Sequence, residues 1–270
     1  MFYLVIFIFP ILINSQVLDT DLSDGLNAEG VSIKYLEGSS EPFKGNVFNY
    51  YPNGNRELKG NYSRGLKEGK WVWWYPNGEK NKTGYYVRSL EDSIWQWWFK
   101  NGQLMKRGKY KKGKKEGRWS EWYEDGALAN SFGYIDDKPN GKCLKKYANG
   151  EKQIEIMYNY GIKSGIEKEW NENGIPVYEN NWKDGLKDGA QIIWAGNGLI
   201  LSKHRYSKGM LHGEYIDYYK SGQKSIVGNY RFGKKHGTWT YSYKDGVVAL
   251  SGNYRNGDPK GSWFWIRANK

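Results

Sequence analysis

Two histidines and two glutamates have the spacing that most invites a chemical interpretation. His212 and His236 lie 24 residues apart, and Glu121 and Glu169 are separated by twice that interval. Histidine pairs contribute to zinc sites and carboxylate pairs to acid–base catalysis. However, no cysteine or carboxylate cluster completes a metal site, and no serine has a histidine and a carboxylate at motif spacing. The sequence therefore predicts no enzyme, no metal site and no cofactor.

The same interval of 24 residues runs through most of the chain. A glycine recurs at this spacing from Gly45 to Gly261, with Ser93 as the one exception. A second glycine series runs without exception from Gly54 to Gly246, and an aromatic series runs from Tyr62 to Tyr254. Such a fixed period indicates small units stacked on copies of themselves. The two histidines therefore align on structural grounds, and Glu121, Lys145 and Glu169 are expected to form a salt-linked ladder.

Each unit has the pattern of a β-hairpin. The stretch 70–75 is rich in aromatic residues, Pro76-Asn77-Gly78 has turn chemistry, and 80–86 returns as a second strand. The predicted fold class is all-β: an elongated, single-layer antiparallel meander of 24-residue β-hairpin repeats. Alternation along strands places Trp71, Trp73 and Tyr75 on one face and Trp74 on the other.

Four segments are predicted along the chain. They are a signal peptide at 1–15, an acidic N-terminal segment with a degenerate cap at 16–44, nine repeats at 45–260 and a C-terminal half-repeat at 261–270. A cap is expected because a terminal repeat exposes an unpaired strand.

The apolar run at residues 1–13 is too short to span a membrane and fits the core of a secretory signal, although no Lys or Arg precedes it. Export to the periplasm, the outer envelope or the extracellular space is therefore predicted, with cleavage after Ser15. Cys143 is the sole cysteine, so no intramolecular disulfide forms. It occupies a position where other repeats have tryptophan, which favours a packing role over a reactive thiol.

The segment 60–71, Gly-Asn-Tyr-Ser-Arg-Gly-Leu-Lys-Glu-Gly-Lys-Trp, resembles a MORN repeat. The Tyr-Pro-Asn-Gly turns at 51–54 and 75–78 are similar to the bacterial variant of that repeat. The resemblance covers about residues 43–266 and implies a solenoid ribbon of hairpins used as a binding or scaffolding surface. It also implies membrane attachment, protein assembly or an antitoxin role as known uses of the family. Ser89 and Asp137 replace the glycine in the middle of the link between hairpins, which leaves the turn geometry there open.

Much of the net charge of +12 collects in these links. A candidate basic ridge comprises Lys111, Lys112, Lys114, Lys115, Lys234 and Lys235. Such a ridge would attract an anionic surface, but lysines also keep strand-rich proteins soluble and block edge-to-edge association. A candidate aromatic binding surface comprises Trp73, Trp97, Tyr241 and Trp265.

These features predict an exported, non-enzymatic repeat protein that binds or scaffolds protein or cell-envelope partners. Two alternatives stay open: an antitoxin-like protein that neutralises a toxin by direct binding, and a tether to anionic membrane surfaces through the basic ridge. A protein is the expected partner, an anionic envelope surface is the alternative, and nucleic acid is not expected. Oligomeric state is left open.

Overall fold

The computed structural model of the chain describes residues 17–28 and 30–265. The predicted signal peptide lies outside these residues, as do Gln16, Glu29 and the last five residues of the predicted half-repeat. The chain divides into two compact units. Unit 1 covers the residues up to Leu104 together with Tyr110–Gly113, and unit 2 covers Met105–Lys109 and the residues from Lys114 onward.

Strands make up almost all of both units. Unit 1 contains β1 (Val17–Leu18), β2 (Leu22–Leu26), β3 (Ser32–Leu36), β4 (Gly45–Tyr50), β5 (Arg56–Ser63), β6 (Leu66–Lys67), β7 (Gly69–Trp74), β8 (Lys80–Val87) and β9 (Leu90–Trp98), with a single 3₁₀ turn at Asp19–Asp21. Strand β10 (Leu104–Lys111) has residues in both units. Unit 2 contains β11 (Lys114–Trp122), β12 (Leu128–Ile135), β13 (Lys138–Pro139), β14 (Gly141–Lys146), β15 (Lys152–Asn159), β16 (Ile162–Trp170), β17 (Pro176–Lys183), β18 (Leu186–Trp194), β19 (Ile200–Ser207), β20 (Met210–Tyr218), β21 (Lys224–Arg231), β22 (Lys234–Ser242), β23 (Val248–Arg255) and β24 (Asp258–Trp265).

Within each unit the repeat strands pair antiparallel with their neighbours in the chain. In unit 1, β4 pairs with β5 and β7 with β8, and in unit 2 the pairing runs in order from β14 to β24. The N-terminal part of unit 1 differs, since β1 pairs with β4 in parallel and β2 with β3 forms a separate two-stranded sheet. The all-β, single-layer antiparallel meander is thus confirmed. Among the described residues, no helix is long and apolar enough to cross a membrane.

Two consecutive residues with positive φ close each link. Arg64 and Gly65 have φ values of 52° and 72°, as in the tight turns that match the twist of antiparallel strands. Ser89 and Asp137 both keep the same conformation, with φ of 65°. Their side chains accept hydrogen bonds from the backbone N–H groups of Lys67 (2.9 Å) and Lys115 (2.7 Å). The turn geometry is therefore retained without glycine, and each of these two side chains bonds to the preceding link.

The opposite turns are joined to one another by tyrosine and asparagine side chains. The hydroxyl of Tyr51 donates to the carbonyl of Trp74, and that of Tyr75 to the carbonyl of Trp98, both at 2.8 Å. The amide of Asn53 donates to the carbonyl of Pro76 at 2.8 Å. The Tyr-Pro-Asn-Gly sequence therefore shapes its own turn and also bonds to the next hairpin.

Tryptophan rings packed on glycine form the core of the repeats. A Cβ atom at Gly60 would overlap the indole of Trp71, and a Cβ atom at Gly228 would overlap that of Trp239. Neither glycine has positive φ, so they are required for the space they leave and not for backbone freedom. Trp71 and Trp239 are accordingly almost completely buried.

Further residues of the N-terminal segment extend this core in unit 1. Leu22 belongs to the same buried cluster as Val47 and Tyr62, and the Tyr62 hydroxyl donates to Asp19 at 3.0 Å. The assignment of this segment as a degenerate cap stays a prediction.

Replacing Gly228 by alanine should lower the free energy of unfolding by about 1–3 kcal/mol, because the added methyl group cannot fit without moving the indole of Trp239. Urea denaturation followed by tryptophan fluorescence measures this change. Gly196→Ala is the matched control in the same unit, since a Cβ atom there meets open space and the backbone needs no positive φ. Equal losses in the two variants would contradict the packing role.

Candidate binding surface

The face of the sheet that carries Trp71, here called the tryptophan face, is a stack of rings in unit 1. Trp71 and Trp73 are stacked with centroids 5.6 Å apart, and Trp73 lies 6.0 Å from Trp95. Trp95 in turn lies 5.8 Å from Trp97 and meets Tyr86 edge-on at 5.0 Å. Offset and edge-on pairs of this kind add stability beyond the apolar area they bury.

Lysine ammonium groups cover many rings of the tryptophan face in unit 1 and in unit 2. One repeat position, two residues before the leading glycine, supplies five of them: Lys67, Lys115, Lys163, Lys187 and Lys235. Their Nζ atoms lie 4.3–5.5 Å from the centroids of neighbouring tryptophan and tyrosine rings. At such distances a cation is attracted to the ring face. Burial lowers the pKa of Lys67 from its ordinary value. The tryptophan face is therefore an alternation of rings and cations.

All four predicted aromatic residues lie on this face. Trp73 is half-buried beneath Lys82, whose Nζ is 4.3 Å from the ring centroid, and Trp97 is half-buried beside Trp95. In unit 2, Tyr241 accepts a hydrogen bond from Lys235 at 2.8 Å, and Trp265 is 79% exposed. Their role as a contact surface stays a prediction.

The predicted basic ridge does not lie on a single surface. Lys111 and Lys112 in unit 1, and Lys114 and Lys234 in unit 2, are exposed near the links. Lys115 and Lys235 instead lie over rings of the tryptophan face, because alternate residues of a strand point to opposite sides. The role of the exposed lysines in attracting anions stays a prediction, and Lys115 and Lys235 lie on a different surface from that ridge.

An exposed apolar stripe at the link edge of unit 2 escaped the sequence analysis. It consists of Tyr160, Ile162, Leu186, Met210 and Phe232, each between 45% and 57% exposed. Ile162, Leu186 and Met210 follow one another at the repeat interval, and that column was the available signal. Large exposed apolar patches are uncommon on monomeric proteins and mark contact sites.

Polar side chains replace the tryptophan stack in the middle of unit 2. Glu167 stands at a tryptophan position and accepts hydrogen bonds from Lys163 and Trp182, both at 2.8 Å, and from Tyr178 at 3.3 Å. The expected ladder of Glu121, Lys145 and Glu169 is wrong. Glu121 pairs with Lys106 at 3.0 Å, since Lys145 lies two strands away from Glu121 and a strand spacing is about 4.8 Å.

His204 and His212 take part in ring packing and in hydrogen bonds between neighbouring parts of the sheet. His204 stacks on Tyr215 at 3.9 Å, and its Nε2 lies 2.9 Å from a carboxylate oxygen of Asp217. His212 accepts a hydrogen bond through Nδ1 from the backbone N–H of Phe232 at 3.4 Å. Nδ1 of His236 is buried. Within residues 17–28 and 30–265, no three His, Cys, Asp or Glu side chains gather to hold a metal ion.

Cys143 is buried in unit 2, with 1% of its surface exposed. Burial raises the pKa of the thiol, so the reactive thiolate is disfavoured. This position agrees with the packing role expected for Cys143.

The fold and its surface define an all-β protein of stacked hairpin repeats. Six stretches match the family model of the MORN repeat variant: residues 44–64, 67–88, 91–112, 163–184, 211–231 and 235–256. The chain therefore belongs to the MORN-repeat proteins. Repeats of this family generally bind proteins or membranes, so the chain is a repeat protein involved in binding.

Other comparisons add little to this assignment. No curated protein matches the sequence. Similar solved structures include the crystal structure of TcdB2-TccC3-Cdc42 (9% identity, 90% of this chain and 17% of that chain, TM-score 0.22) and the Photorhabdus luminescens Tc holotoxin pore (11% identity, 89% and 15%, TM-score 0.21). A porin-like protein from Bacteroides uniformis is 8% identical over 84% of this chain and 91% of that chain, with a TM-score of 0.17. The chain spans less than a fifth of the first two proteins. The TM-scores are too low to establish a shared fold with any of the three.

Alkaline pH should unfold unit 1, because its buried tyrosines ionise more readily in the unfolded chain than in the folded one. Burial raises the pKa of Tyr86 from 10.0 to about 12. The folded state thus holds a proton that the unfolded chain loses, so this stabilisation is complete below pH 10 and disappears as the pH rises through about 12. Tyrosinate absorbance and circular dichroism, recorded together, should show late ionisation accompanying unfolding.

The variant Tyr86→Phe should move the alkaline transition to higher pH, because it removes one group that ionises more readily in the unfolded chain. Ionisation of every tyrosine at its ordinary pKa with the fold intact would contradict the prediction.

Proposed function

We propose that this chain is an exported, non-enzymatic scaffold that binds a protein partner along the apolar stripe of unit 2. The observation that carries the proposal is the exposure of large apolar side chains on successive links. Leu186, for example, is 50% exposed and Phe232 is 56% exposed. Covering such side chains with a partner removes apolar surface from water, which is the main driving force of protein association.

The stripe is held in place by packing between links. A Cβ atom at Gly185 would lie 3.2 Å from Ile162, and one at Gly209 would lie 3.6 Å from Leu186. Ile162 and Leu186 therefore each rest against the glycine of the next link. Side chains ordered before binding lose less conformational entropy when a partner covers them.

The flanking charges suit a protein surface with acidic groups. Lys183 lies opposite Leu186 across its turn, and Lys234 follows Phe232 closely in the chain. Apolar centres with charged rims are typical of protein interfaces. The same combination supports the second candidate, an anionic membrane surface that lysines attract and apolar side chains enter.

A photoreactive residue at position 186 should crosslink to one protein partner in the envelope fraction of the native host. The same residue at position 199 is the control, because Leu199 is 40% exposed and lies at the opposite turn edge of unit 2. Ile162→Glu and Met210→Glu should each abolish the adduct at position 186, since a charge cannot be desolvated beside the stripe.

Identical adducts at positions 186 and 199 would contradict the proposal that the partner binds specifically at the link edge. Adducts to lipid alone, together with binding to anionic vesicles that salt abolishes, would replace the protein partner with the membrane surface.

Export should yield a mature chain that begins at Gln16. Fractionation of the host followed by N-terminal sequencing measures this. The control Ile6→Arg should keep the chain in the cytoplasm, because a charge interrupts the apolar run that the export machinery recognises. An intact Met1 in the cytoplasm would overturn export and make the antitoxin-like alternative the leading one.

A further inference from the structure

A cleft of about 230 Å³ opens on the tryptophan face of unit 2. Three lysines line it, Lys106, Lys115 and Lys145, together with Glu121 and Phe132. We call it the lysine cleft. It lies on the strand face that carries Trp119, whereas Lys234 and the apolar stripe lie at the link edge, so it is a separate feature of the surface.

The cleft lies at a break in the tryptophan series. Cys143 stands at a tryptophan position, and Phe132 stands at the position that is glycine in the Gly60–Trp71 pair. A thiol is much smaller than an indole, so the pair Phe132 and Cys143 does not reproduce the layer of ring over glycine. The repeat is therefore altered at Phe132, which lines the cleft, and at Cys143, which is buried.

The charges of the cleft do not balance. Glu121 pairs with Lys106 at 3.0 Å and accepts a hydrogen bond from Asn130 at 2.8 Å. Burial alone would raise the pKa of Glu121, but these hydrogen bonds outweigh it and hold the pKa below its usual value. Lys145 is exposed and has no ion pair or hydrogen bond within the part of the chain that the structure describes. The site thus holds three ammonium groups and one carboxylate that is already engaged.

Ring faces in the cleft are covered by ammonium groups. The Nζ atoms of Lys106 and Lys115 lie 5.4 Å and 5.0 Å from the ring centroid of Trp119, and Lys115 also lies 4.9 Å from that of Tyr134. Stacking of a neutral sugar or base on these rings would require the lysines to leave. An ammonium group has three N–H donors, and charge-assisted hydrogen bonds to a carboxylate are among the strongest available to it.

We propose that the lysine cleft is a binding subsite for a carboxylate, supplied by a glutamate or aspartate side chain of a protein partner. Lys115 and Lys145 would donate hydrogen bonds to the carboxylate. The ion pair of Lys106 and Glu121 would form one wall of the site. The inference is independent of the apolar stripe, since it concerns other residues on another surface, and either proposal can fail without the other.

A fluorescently labelled peptide of alternating Glu and Gly is the probe, with binding followed by anisotropy at low and high ionic strength. Lys145→Glu should weaken binding about tenfold or more, because it reverses a charge in direct contact with the ligand. Lys145→Arg should keep most of the affinity. Lys220→Glu is the matched control, because it makes the same charge change at an exposed position in the turn between β20 and β21, outside both the cleft and the apolar stripe.

A second variant removes a charge from the cleft without reversing it. Lys145→Gln should weaken peptide binding, because it takes away one ammonium donor. Circular dichroism should show that this variant stays folded, because Lys145 is exposed and unpaired within the described residues.

Three outcomes would overturn the proposal. One is the absence of saturable peptide binding to the wild-type chain. Another is an equal loss for Lys145→Glu and Lys220→Glu, which would reduce the effect to net charge. The third is binding of a galacturonate oligomer, sensitive to Lys145→Glu, in place of the peptide, which would assign the cleft to a sugar acid.

Discussion

The packing of a tryptophan ring directly on a glycine of the neighbouring strand is the contact on which the repeats depend. Trp71 on Gly60 and Trp239 on Gly228 show that the glycine is needed because no side-chain atom fits beneath the indole. A single layer of strands has few other ways to bury large apolar groups. The ring therefore supplies the core where this pair occurs, and the pair recurs at intervals of 24 residues at Gly60, Gly84 and Gly108 and again at Gly228 and Gly252.

Lysines complete the layer that the tryptophans begin. A ring exposed on one face of a sheet would leave apolar surface in water, and an ammonium group such as that of Lys235, 4.3 Å from the Trp239 centroid, covers it while keeping its charge hydrated on the other side. Much of the positive charge is thus part of the structure. Other lysines, such as Lys145 and Lys234, are exposed instead.

The repeats are most informative where they deviate. Glu167 at a tryptophan position brings in Lys163, Tyr178 and Trp182 as hydrogen-bond donors, because a buried carboxylate must be satisfied. Cys143, at another such position, is a small side chain that is almost completely buried. Unit 2 therefore presents both a polar network and a cleft on its tryptophan face.

Periodicity in the sequence was sufficient to predict the hairpins, the turns and the face shared by Trp71 and Trp73, because strand alternation and turn chemistry are local properties. It failed for Lys115 and Lys235, which it assigned to the ridge, and for the Glu121–Lys145–Glu169 ladder. Those depend on which side chain reaches which ring or carboxylate across two strands. Only the tertiary structure decided these contacts, the exposure of Leu186 and the cleft beside Lys145, since each is the sum of neighbours brought together from different repeats.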